Sequence, residues 1–300
     1  MREALVFGGS GQIGTSLLTG LRDAGWRVFA VSRSAQAAAP GMQWLRGDLD
    51  HVDGLPTAVD AIFSCGPLDH FARWYAASTI AAPRVIAFGS TSIEVKQDSS
   101  DAAERDVAAR LAEGERSVFS SAITRAANAT LLRPTLLYGV GRDRTLTRIA
   151  TLARRWGWFV LPRNACGLRQ PVHVDDLAVA ALNACDVAAT HGQAYALPGG
   201  ETLPYRDMVR RVLAALQPPP GLIEIPSPLF NAALLGARAL GQAGGFGDAA
   251  VARLRRDLVF DATPAQRDFG YKARPFRPTA DMLCAGMFSA SCAGTGMLPP

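Results

Sequence analysis

A glycine-rich turn close to the N-terminus constrains the fold of this chain more than any other feature. Residues 4–7 form a short apolar run typical of a buried parallel strand, and glycines at a spacing of three follow it before a helical pattern of leucines begins. A pyrophosphate needs a turn of unusual φ, a close approach without a Cβ atom, and the free N–H groups of a helix N-terminus. The pattern G-x-x-G-x-x-G therefore predicts a dinucleotide-binding turn that comprises Gly8, Ser10, Gly11, Gln12, Ile13 and Gly14.

The end of the next apolar strand indicates which dinucleotide binds. This strand ends with Ser32 and Arg33, about 20 residues after the turn, where the adenosine ribose lies in a dinucleotide fold. A carboxylate there would bind a free 2′-hydroxyl, whereas an arginine beside a serine can bind a 2′-phosphate. The strand end carries no acidic residue, so the sequence predicts NADP in preference to NAD.

Strand and helix patterns alternate through the N-terminal half, which predicts a parallel sheet with crossover helices. Further strands are expected at 42–45, 59–65, 84–88 and 194–197, and a strand over 130–139 is expected to end at Pro134 or to lie at a sheet margin. Two helical pieces are predicted at 103–116 and 119–127. The fold class is therefore α/β, a Rossmann-type doubly wound parallel sheet.

The composition changes at Glu201, after which prolines separate helical pieces. We expect an NADP-binding Rossmann domain over residues 1–200, in which 140–170 contributes to the substrate side. A smaller, mostly helical substrate domain is expected over 201–285, and a loose tail over 286–300.

Composition and charge exclude several classes of function. The net charge of +5 is mild, and only Lys96 and Lys272 among the 31 basic residues are lysines, which indicates a coding bias toward arginine rather than a nucleic-acid surface. No stretch approaches about 20 uninterrupted apolar residues, and the chain enters a strand directly after its first residues, without room for a signal peptide. We therefore expect no integral membrane segment and a cytoplasmic location. His173 and its neighbouring carboxylates lack the spacing of metal ligands, so no metal site is predicted.

Several motifs, taken together and in order, resemble the extended short-chain dehydrogenase/reductase family, which includes nucleotide-sugar epimerases, dehydratases and reductases. The resemblance covers roughly residues 3–280. Its marks after the glycine turn are Gly47-Asp48-Leu49, Ser90-Thr91-Ser92, Leu132-Arg133-Pro134 with Tyr138-Gly139, and Pro171-Val172-His173-Val174-Asp175-Asp176.

This resemblance implies both an activity and site residues. The chain would act on a carbonyl or an alcohol as an NAD(P)-dependent epimerase, dehydratase or reductase, and a homodimer is compatible with the family. Asp48 and Leu49 would lie near the adenine, and Pro134 would run past the nicotinamide. Asp175 or Asp176 would cap a helix that begins at Leu177. The turn after the fourth strand would line the cofactor through Cys65, Gly66 and Pro67.

The proton-transfer pair of the resembled family is missing. Members carry a tyrosine, with a lysine four residues later, on the helix after the fifth strand, and a serine or threonine from that strand's end. Ser90 fits the hydroxyl position, with Thr91 and Ser92 as close alternatives. The tyrosine position holds Asp106 or Val107, and the lysine position holds Arg110 or Leu111.

Two interpretations remain open. In the first, another group near the carboxyl edge of the sheet transfers the proton. Lys96 is the most interesting candidate because a desolvated amine can release a proton and a guanidinium cannot. An ordinary solvated surface lysine is the alternative for this residue. The other candidates are Glu94, Asp98, Tyr75 and His70. In the second, the protein binds NADP as a structural or regulatory ligand without turnover.

A basic segment over residues 142–169 bears on the substrate. In the resembled family this region holds the diphosphate of a nucleotide sugar, and arginines with aromatic residues can bind phosphates and stack on a base. A solvated basic helix face is an equal alternative. A small-molecule substrate, phosphorylated or a nucleotide sugar, is therefore expected. The arginines are Arg142, Arg144, Arg148, Arg154, Arg155, Arg163 and Arg169, and the aromatic residues are Trp156, Trp158 and Phe159.

Overall fold

The computed structural model describes residues 1–143, 145–239 and 248–283 of the 300-residue chain. In chain order the strands are β1 (Glu3–Phe7), β2 (Arg27–Ser32), β3 (Met42–Arg46), β4 (Ala61–Ser64), β5 (Arg84–Phe88), β6 (Asn128–Pro134), β7 (Leu137–Tyr138), β8 (Trp158–Pro162), β9 (Leu168–Arg169), β10 (Val172–His173), β11 (Gln193–Leu197), β12 (Leu203–Pro204) and β13 (Gly221–Ile225). The helices are α1 (Gln12–Asp23), α2 (Leu68–Ala77), α3 (Ser92–Val95), α4 (Ala102–Thr124), α5 (Leu146–Trp156), α6 (Val174–Cys185), α7 (Tyr205–Ala214), α8 (Ser227–Ala239), α9 (Asp248–Arg253), α10 (Thr263–Phe269) and α11 (Ala280–Leu283).

Seven strands form one parallel sheet in the order β11-β6-β5-β4-β1-β2-β3. The chain runs outward from β1 in one direction through β2 and β3, then returns to β4 and continues in the other direction. This reversal beside β1 is the topological switch point, at whose carboxyl edge open α/β sheets bind ligands. The predicted doubly wound Rossmann-type sheet is therefore confirmed, and β6 ends at Pro134 as expected.

Helices cover both faces of this sheet, which explains why its strands are almost continuously apolar. On one face, α1, α6 and α10 contribute buried side chains such as Leu17, Leu177 and Phe269. On the other face, α2 and α4 contribute Phe71 and Val118. The sheet is held between two apolar layers, and its carboxyl edge stays free for a site.

A third apolar cluster lies in the part of the chain that follows β6. It joins α5, α7 and β8 with residues from the C-terminal segment, and its buried members include Tyr138, Ile149, Met208 and Phe276. No helix within the described residues is long and apolar enough to cross a membrane. The expected tail over 286–300 lies outside the described residues, and so does Arg144.

Two local predictions are wrong. The pieces at 103–116 and 119–127 are one helix, α4, in which Gly114 does not break the helix. A Cβ atom at Gly114 would lie 3.3 Å from the side chain of Leu68, so this glycine lets α4 approach α2 closely.

The second wrong prediction concerns the start of α6. This helix begins at Val174, and the Nδ1 atom of His173 accepts the first-turn N–H of Asp175 at 3.2 Å. Asp175 does not act as the cap because it accepts a hydrogen bond from Ser16, and Asp176 accepts hydrogen bonds from Arg274.

Candidate functional site

The glycine turn between β1 and α1 has the close packing that a pyrophosphate site requires. Gly8 has a φ of +71°, a conformation that residues with a side chain rarely adopt. A Cβ atom at Gly14 would overlap the carbonyl oxygen of Gly8 and lie 2.7 Å from the Cα atom of Gly9. Helix α1 starts without a side-chain cap or an acidic residue in its first turn. The turn therefore presents a helix N-terminus suited to an anion.

The predicted cofactor residues from the other strands come together around this turn. A Cβ atom at Gly8 would lie 2.9 Å from the carbonyl carbon of Cys65 and 3.0 Å from the nitrogen of Gly66, so the turn after β4 contacts the glycine turn directly. The hydroxyl of Ser32 lies 3.3 Å from that of Ser10. These contacts place the ends of β1, β2 and β4 side by side.

Arg33 and Asp48 lie near each other at the ends of β2 and β3. Asp48 accepts the backbone N–H groups of His51 and Asp50, at 3.0 and 2.9 Å, and these bonds, with a smaller contribution from Arg33, lower the pKa of its carboxyl. Both side chains are exposed. The end of β2 thus carries an exposed cation and no acidic side chain, and its binding of a 2′-phosphate stays a prediction.

The remaining predicted cofactor residues also lie near this edge. Burial raises the pKa of the Cys65 thiol to about 12, so this thiol stays protonated. The side chain of Leu49 lies against Gly66, and Pro67 precedes α2. The carbonyl oxygen of Pro134 accepts hydrogen bonds from Thr91. A role for these residues in cofactor binding stays a prediction.

A cavity of about 830 Å³ opens beside the glycine turn. Gly11 and Gln12 form its end at the turn, and Ser90, Thr91 and Lys96 enter it from the end of β5 and from α3. The other lining residues are Ser92, Val95, Thr135, Leu136, Leu137, Arg142, Asp143, Thr145, Arg148, Ile149, Leu152, Phe159, Arg169, Gln170, Tyr205, Arg253, Leu254, Leu258 and Phe260. One cavity thus joins the predicted cofactor turn to the predicted catalytic residues.

The three predicted catalytic residues differ in what their side chains can do. The Ser90 hydroxyl accepts the N–H of Ser92 at 3.1 Å and keeps its own hydrogen for a ligand. The Thr91 hydroxyl is buried and donates to the carbonyl oxygen of Pro134 at 3.2 Å, so it supports the turn. Lys96 is half-buried, and its ammonium group makes no hydrogen bond or ion pair with the part of the chain that the structure describes.

The other proton-transfer candidates do not line the cavity. Tyr75 is buried in the core, with its ring stacked on Phe71 at 5.7 Å. Glu94 is exposed and pairs with Arg133 at 3.1 Å. His70 lies 3.7 Å from the carboxylate of Asp50, and Asp98 is exposed. The structure therefore leaves Lys96 as the candidate that reaches the cavity.

Helix α4 shows what occupies the positions of the missing tyrosine and lysine. Val107 and Leu111 are half-buried and precede the buried Glu115 at helical spacing, whereas Asp106 and Arg110 are exposed and pair with each other at 2.9 Å. The side of α4 that faces the protein is thus apolar at these two positions, and no residue of α4 lines the cavity.

The basic segment divides into residues inside and outside the cavity. Arg142, Arg148, Arg169 and Phe159 line it. The outer group consists of exposed residues that do not line the cavity, as expected for a solvated face, and comprises Arg154, Arg155, Arg163, Trp156 and Trp158.

Arg169 is the most unusual cation of the cavity. Its guanidinium is buried and donates to the carbonyl oxygens of Leu168 at 2.7 Å, of Arg256 at 2.8 Å and of Arg253. Burial lowers the pKa of Arg169. The described residues place no carboxylate within ion-pair distance of this cation; Asp257 acts on it at longer range, and its guanidinium carbon lies 5.3 Å from the ring centre of Tyr205. A buried positive charge therefore lines the cavity without a salt bridge to the described residues.

The far wall of the cavity was missed by sequence reasoning. Residues of the C-terminal segment form it: Arg253, Leu254, Leu258 and Phe260. Two backbone hydrogen bonds hold this segment against β9, from Gly167 to Leu254 and from Leu258 to Leu168, both at 2.9 Å. Arg253 also pairs with Glu104 on α4. No motif marks this segment, because its place depends on contacts with β9.

Comparisons with known proteins agree with this architecture. No protein-family profile matches the chain. The 2-alkyl-3-oxoalkanoate reductase of Stenotrophomonas maltophilia (strain K279a) is 28% identical over 254 residues, which are 72% of this chain and 76% of the reductase.

Two solved structures share the fold over almost the whole chain. The epimerase Mth375 of Methanothermobacter thermautotrophicus aligns with a TM-score of 0.66 at 14% identity, over 94% of this chain and 90% of the epimerase. The UDP-glucuronic acid 4-epimerase of Bacillus cereus was solved with UDP-glucuronic acid and NAD. It aligns with a TM-score of 0.64 at 12% identity, over 91% of this chain and 95% of the epimerase. The chain therefore shares its fold with these epimerases.

Proposed function

We propose that this protein is a nicotinamide-dinucleotide-dependent oxidoreductase that interconverts a carbonyl and an alcohol on an anionic, partly apolar small molecule. The observation that supports this most directly is that a single cavity joins the glycine turn to Ser90, Lys96 and the buried Arg169. The relationship to a curated reductase supports the same class of reaction.

The residues present fit a dinucleotide at the glycine turn. Helix α1 has no cap of its own, and Gly14 keeps the turn free of a side chain. The Oε1 atom of Gln12 is buried without a hydrogen-bond partner among the described residues, so it is an acceptor that a ligand can satisfy. A bound dinucleotide would supply hydride transfer to or from the substrate carbon.

The remaining chemistry is proton transfer at the substrate oxygen. In the reducing direction, Ser90 donates a hydrogen bond to the carbonyl oxygen and orients it. Lys96 then gives its proton to that oxygen as the C–H bond forms, which leaves an alcohol and a neutral amine that regains a proton from water. In the oxidising direction the neutral amine accepts the proton. An arginine at this position could not do so.

The lining favours an anionic acyl substrate over a sugar. Lys96, Arg142, Arg148, Arg169 and Arg253 are accompanied by a single carboxylate among the described lining residues, Asp143, which caps α5. Gln170, a neutral side chain of the lining that could bind sugar hydroxyls, already uses its amide with Thr202 and Phe260. Apolar side chains make up much of the remaining cavity lining: Val95, Leu136, Leu137, Ile149, Leu152, Phe159, Leu254, Leu258 and Phe260.

A substrate series tests this function. We expect the protein to consume NADPH with 3-oxo acids, the class in the name of the Stenotrophomonas relative, and KM to fall up to about fourfold for each methylene added to the chain. UDP-glucuronic acid and UDP-glucose serve as the comparison substrates, because the cavity's cations could also hold a diphosphate. These sugars carry alcohols and no free carbonyl, so they are supplied with NADP⁺ or NAD⁺ and followed by reduction of the dinucleotide and by formation of the epimer. Turnover of the nucleotide sugars alone would reject the acyl substrate.

A non-catalytic role is the second candidate, and Val107 and Leu111 are the observation that favours it. These apolar residues stand where the resembled family carries its proton-transfer pair. In this case the protein binds NADPH tightly, reduces no 3-oxo acid, and neither oxidises nor epimerises a nucleotide sugar. The same series therefore distinguishes a catalyst from a cofactor-binding sensor or structural protein.

The preference for NADP is a finer proposal that rests on Ser32 and Arg33. We expect NADPH to bind about 10- to 100-fold more tightly than NADH. This factor corresponds to the free energy of a charge-assisted hydrogen bond to the 2′-phosphate. Arg33→Ala should remove this difference and leave NADH affinity unchanged, as followed by cofactor fluorescence. Arg22→Ala, an exposed arginine in the last turn of α1, is the control. Equal affinity of the wild type for both dinucleotides, as NAD in the Bacillus cereus epimerase would suggest, contradicts the proposal.

A further inference from the structure

Arg142 connects the segment after β7 to the glycine turn. Its Nη1 atom donates a hydrogen bond to the carbonyl oxygen of Ser10 at 3.1 Å, although 132 residues separate the two in the sequence. It lines the cavity together with Gly11 and Gln12. A cation from the substrate side of the fold thus stands over the N-terminus of α1.

The backbone around Arg142 is held in place on both sides. Gly139 and Gly141 adopt φ values of +136° and +62°, which let the chain turn toward the sheet edge. The N–H of Gly141 donates to the carbonyl oxygen of Met282 at 2.8 Å. Asp143 accepts the N–H of Thr145 at 2.9 Å and the hydroxyl of Thr147 at 2.6 Å. Arg142 is therefore presented from an ordered loop.

The guanidinium of Arg142 retains most of its hydrogen-bonding capacity. It is exposed, and the bond to Ser10 uses one of its five N–H donors. No carboxylate in the described part of the chain pairs with it, since its neighbour Asp143 is engaged with α5. Such a group is suited to bind phosphate oxygens through charge-assisted hydrogen bonds.

We infer that Arg142 completes the diphosphate site of the dinucleotide, so that a residue of the substrate side closes the cofactor cradle opposite α1. This inference rests on the proposed dinucleotide function. Helix α1 offers neutral N–H groups and only a partial positive charge, whereas a diphosphate carries two negative charges. The first turn of α1 contains no basic residue, so Arg142 supplies the missing full charge.

Direct binding measurements on the purified full-length protein test this role without any turnover. NADPH is titrated by its fluorescence, and ADP-ribose and adenosine are measured by displacement of NADPH. We expect Arg142→Ala to weaken NADPH and ADP-ribose by the same factor, about 10- to 100-fold, and to change adenosine affinity less than about twofold, because adenosine lacks the diphosphate. Arg142→Lys should restore part of the affinity, since lysine keeps the charge but not the planar fork.

Arg155→Ala, an exposed arginine of α5 outside the cavity, is the matched control and should leave all three affinities unchanged. Unchanged NADPH affinity in Arg142→Ala would overturn the inference while the dinucleotide function stands. An equal loss for adenosine would also overturn it, because the change would then act on the whole site. A wild-type protein that binds no dinucleotide rejects the proposed function together with this inference.

Discussion

Gly14→Ala is expected to lower dinucleotide affinity by at least about 100-fold and to destabilise the protein by about 3 kcal/mol, the upper part of the range for overpacking. The added methyl group would overlap the carbonyl oxygen of Gly8 and press on the Cα atom of Gly9. Both are backbone atoms of the turn, so the overlap can be relieved only by moving α1 away from β1. That movement displaces the N–H groups on which the diphosphate depends. Cofactor fluorescence and thermal unfolding measure the two effects, and we expect Tm to fall by about 5 °C.

Gly20→Ala on the same helix is the control for Gly14→Ala. Its methyl group would meet only the Cδ1 atom of Leu182, at 2.8 Å, and that flexible side chain can move. The higher helix propensity of alanine offsets the free-energy cost of moving the Leu182 side chain by about 1 kcal/mol. Near-normal binding by Gly14→Ala would show that helix–strand contact at Gly14 does not shape the cofactor site.

The glycine turn and the sheet could be predicted because their signals are local. Gly8 and Gly14 meet steric requirements within a few residues of each other, and each buried strand shows its apolar run in the sequence. The ends of β1, β2 and β4 then meet because parallel strands point the same way. The predicted cofactor residues lie together for this reason, although none of their roles has been tested.

Helix α4 marks a limit of local reasoning. Its sequence favours a helix throughout, and the division predicted between residues 116 and 119 is absent because one continuous helix, with Gly114 close to Leu68, packs against α2. Tertiary contacts also decided the choice among proton-transfer candidates. Tyr75 and Lys96 both follow strands that end at the same edge of the sheet. The ring of Tyr75 is nevertheless buried in the core, whereas the side chain of Lys96 lines the cavity.

The far wall of the cavity could not be predicted from sequence. Arg253 and Phe260 reach it because residues 254–258 bond to β9, a contact between segments almost 90 residues apart. The hydrogen bonds of Arg169 to backbone carbonyl oxygens, in place of a salt bridge to any described residue, are equally a product of tertiary structure, since these oxygens come partly from this same segment. The charge of the basic segment was visible in sequence, but the selection of Arg142, Arg148 and Arg169 for the cavity was not.

Lys96→Met is expected to lower kcat by about 10²- to 10⁴-fold, the range for loss of a general acid or base, once a substrate has been identified from the series above. Lys96 lines the cavity beside Ser90, and α4 offers no replacement because Val107 and Leu111 are apolar. Methionine keeps the length and the apolar stem of lysine but cannot carry a proton. Dinucleotide affinity should stay within about twofold of the wild type, because the proposed contacts to the diphosphate and the 2′-phosphate come from α1, Arg142 and Arg33 rather than from Lys96.

Two further variants separate proton transfer from simple charge. Lys96→Arg restores the positive charge, so the KM of an anionic substrate should return toward the wild-type value while kcat stays low, because a guanidinium does not release its proton. Lys272→Met removes the chain's other lysine, which is exposed and outside the cavity, and should leave both constants unchanged. If Lys96→Arg recovers wild-type kcat, Lys96 holds the substrate by its charge, and the proton must come from Ser90 or from water.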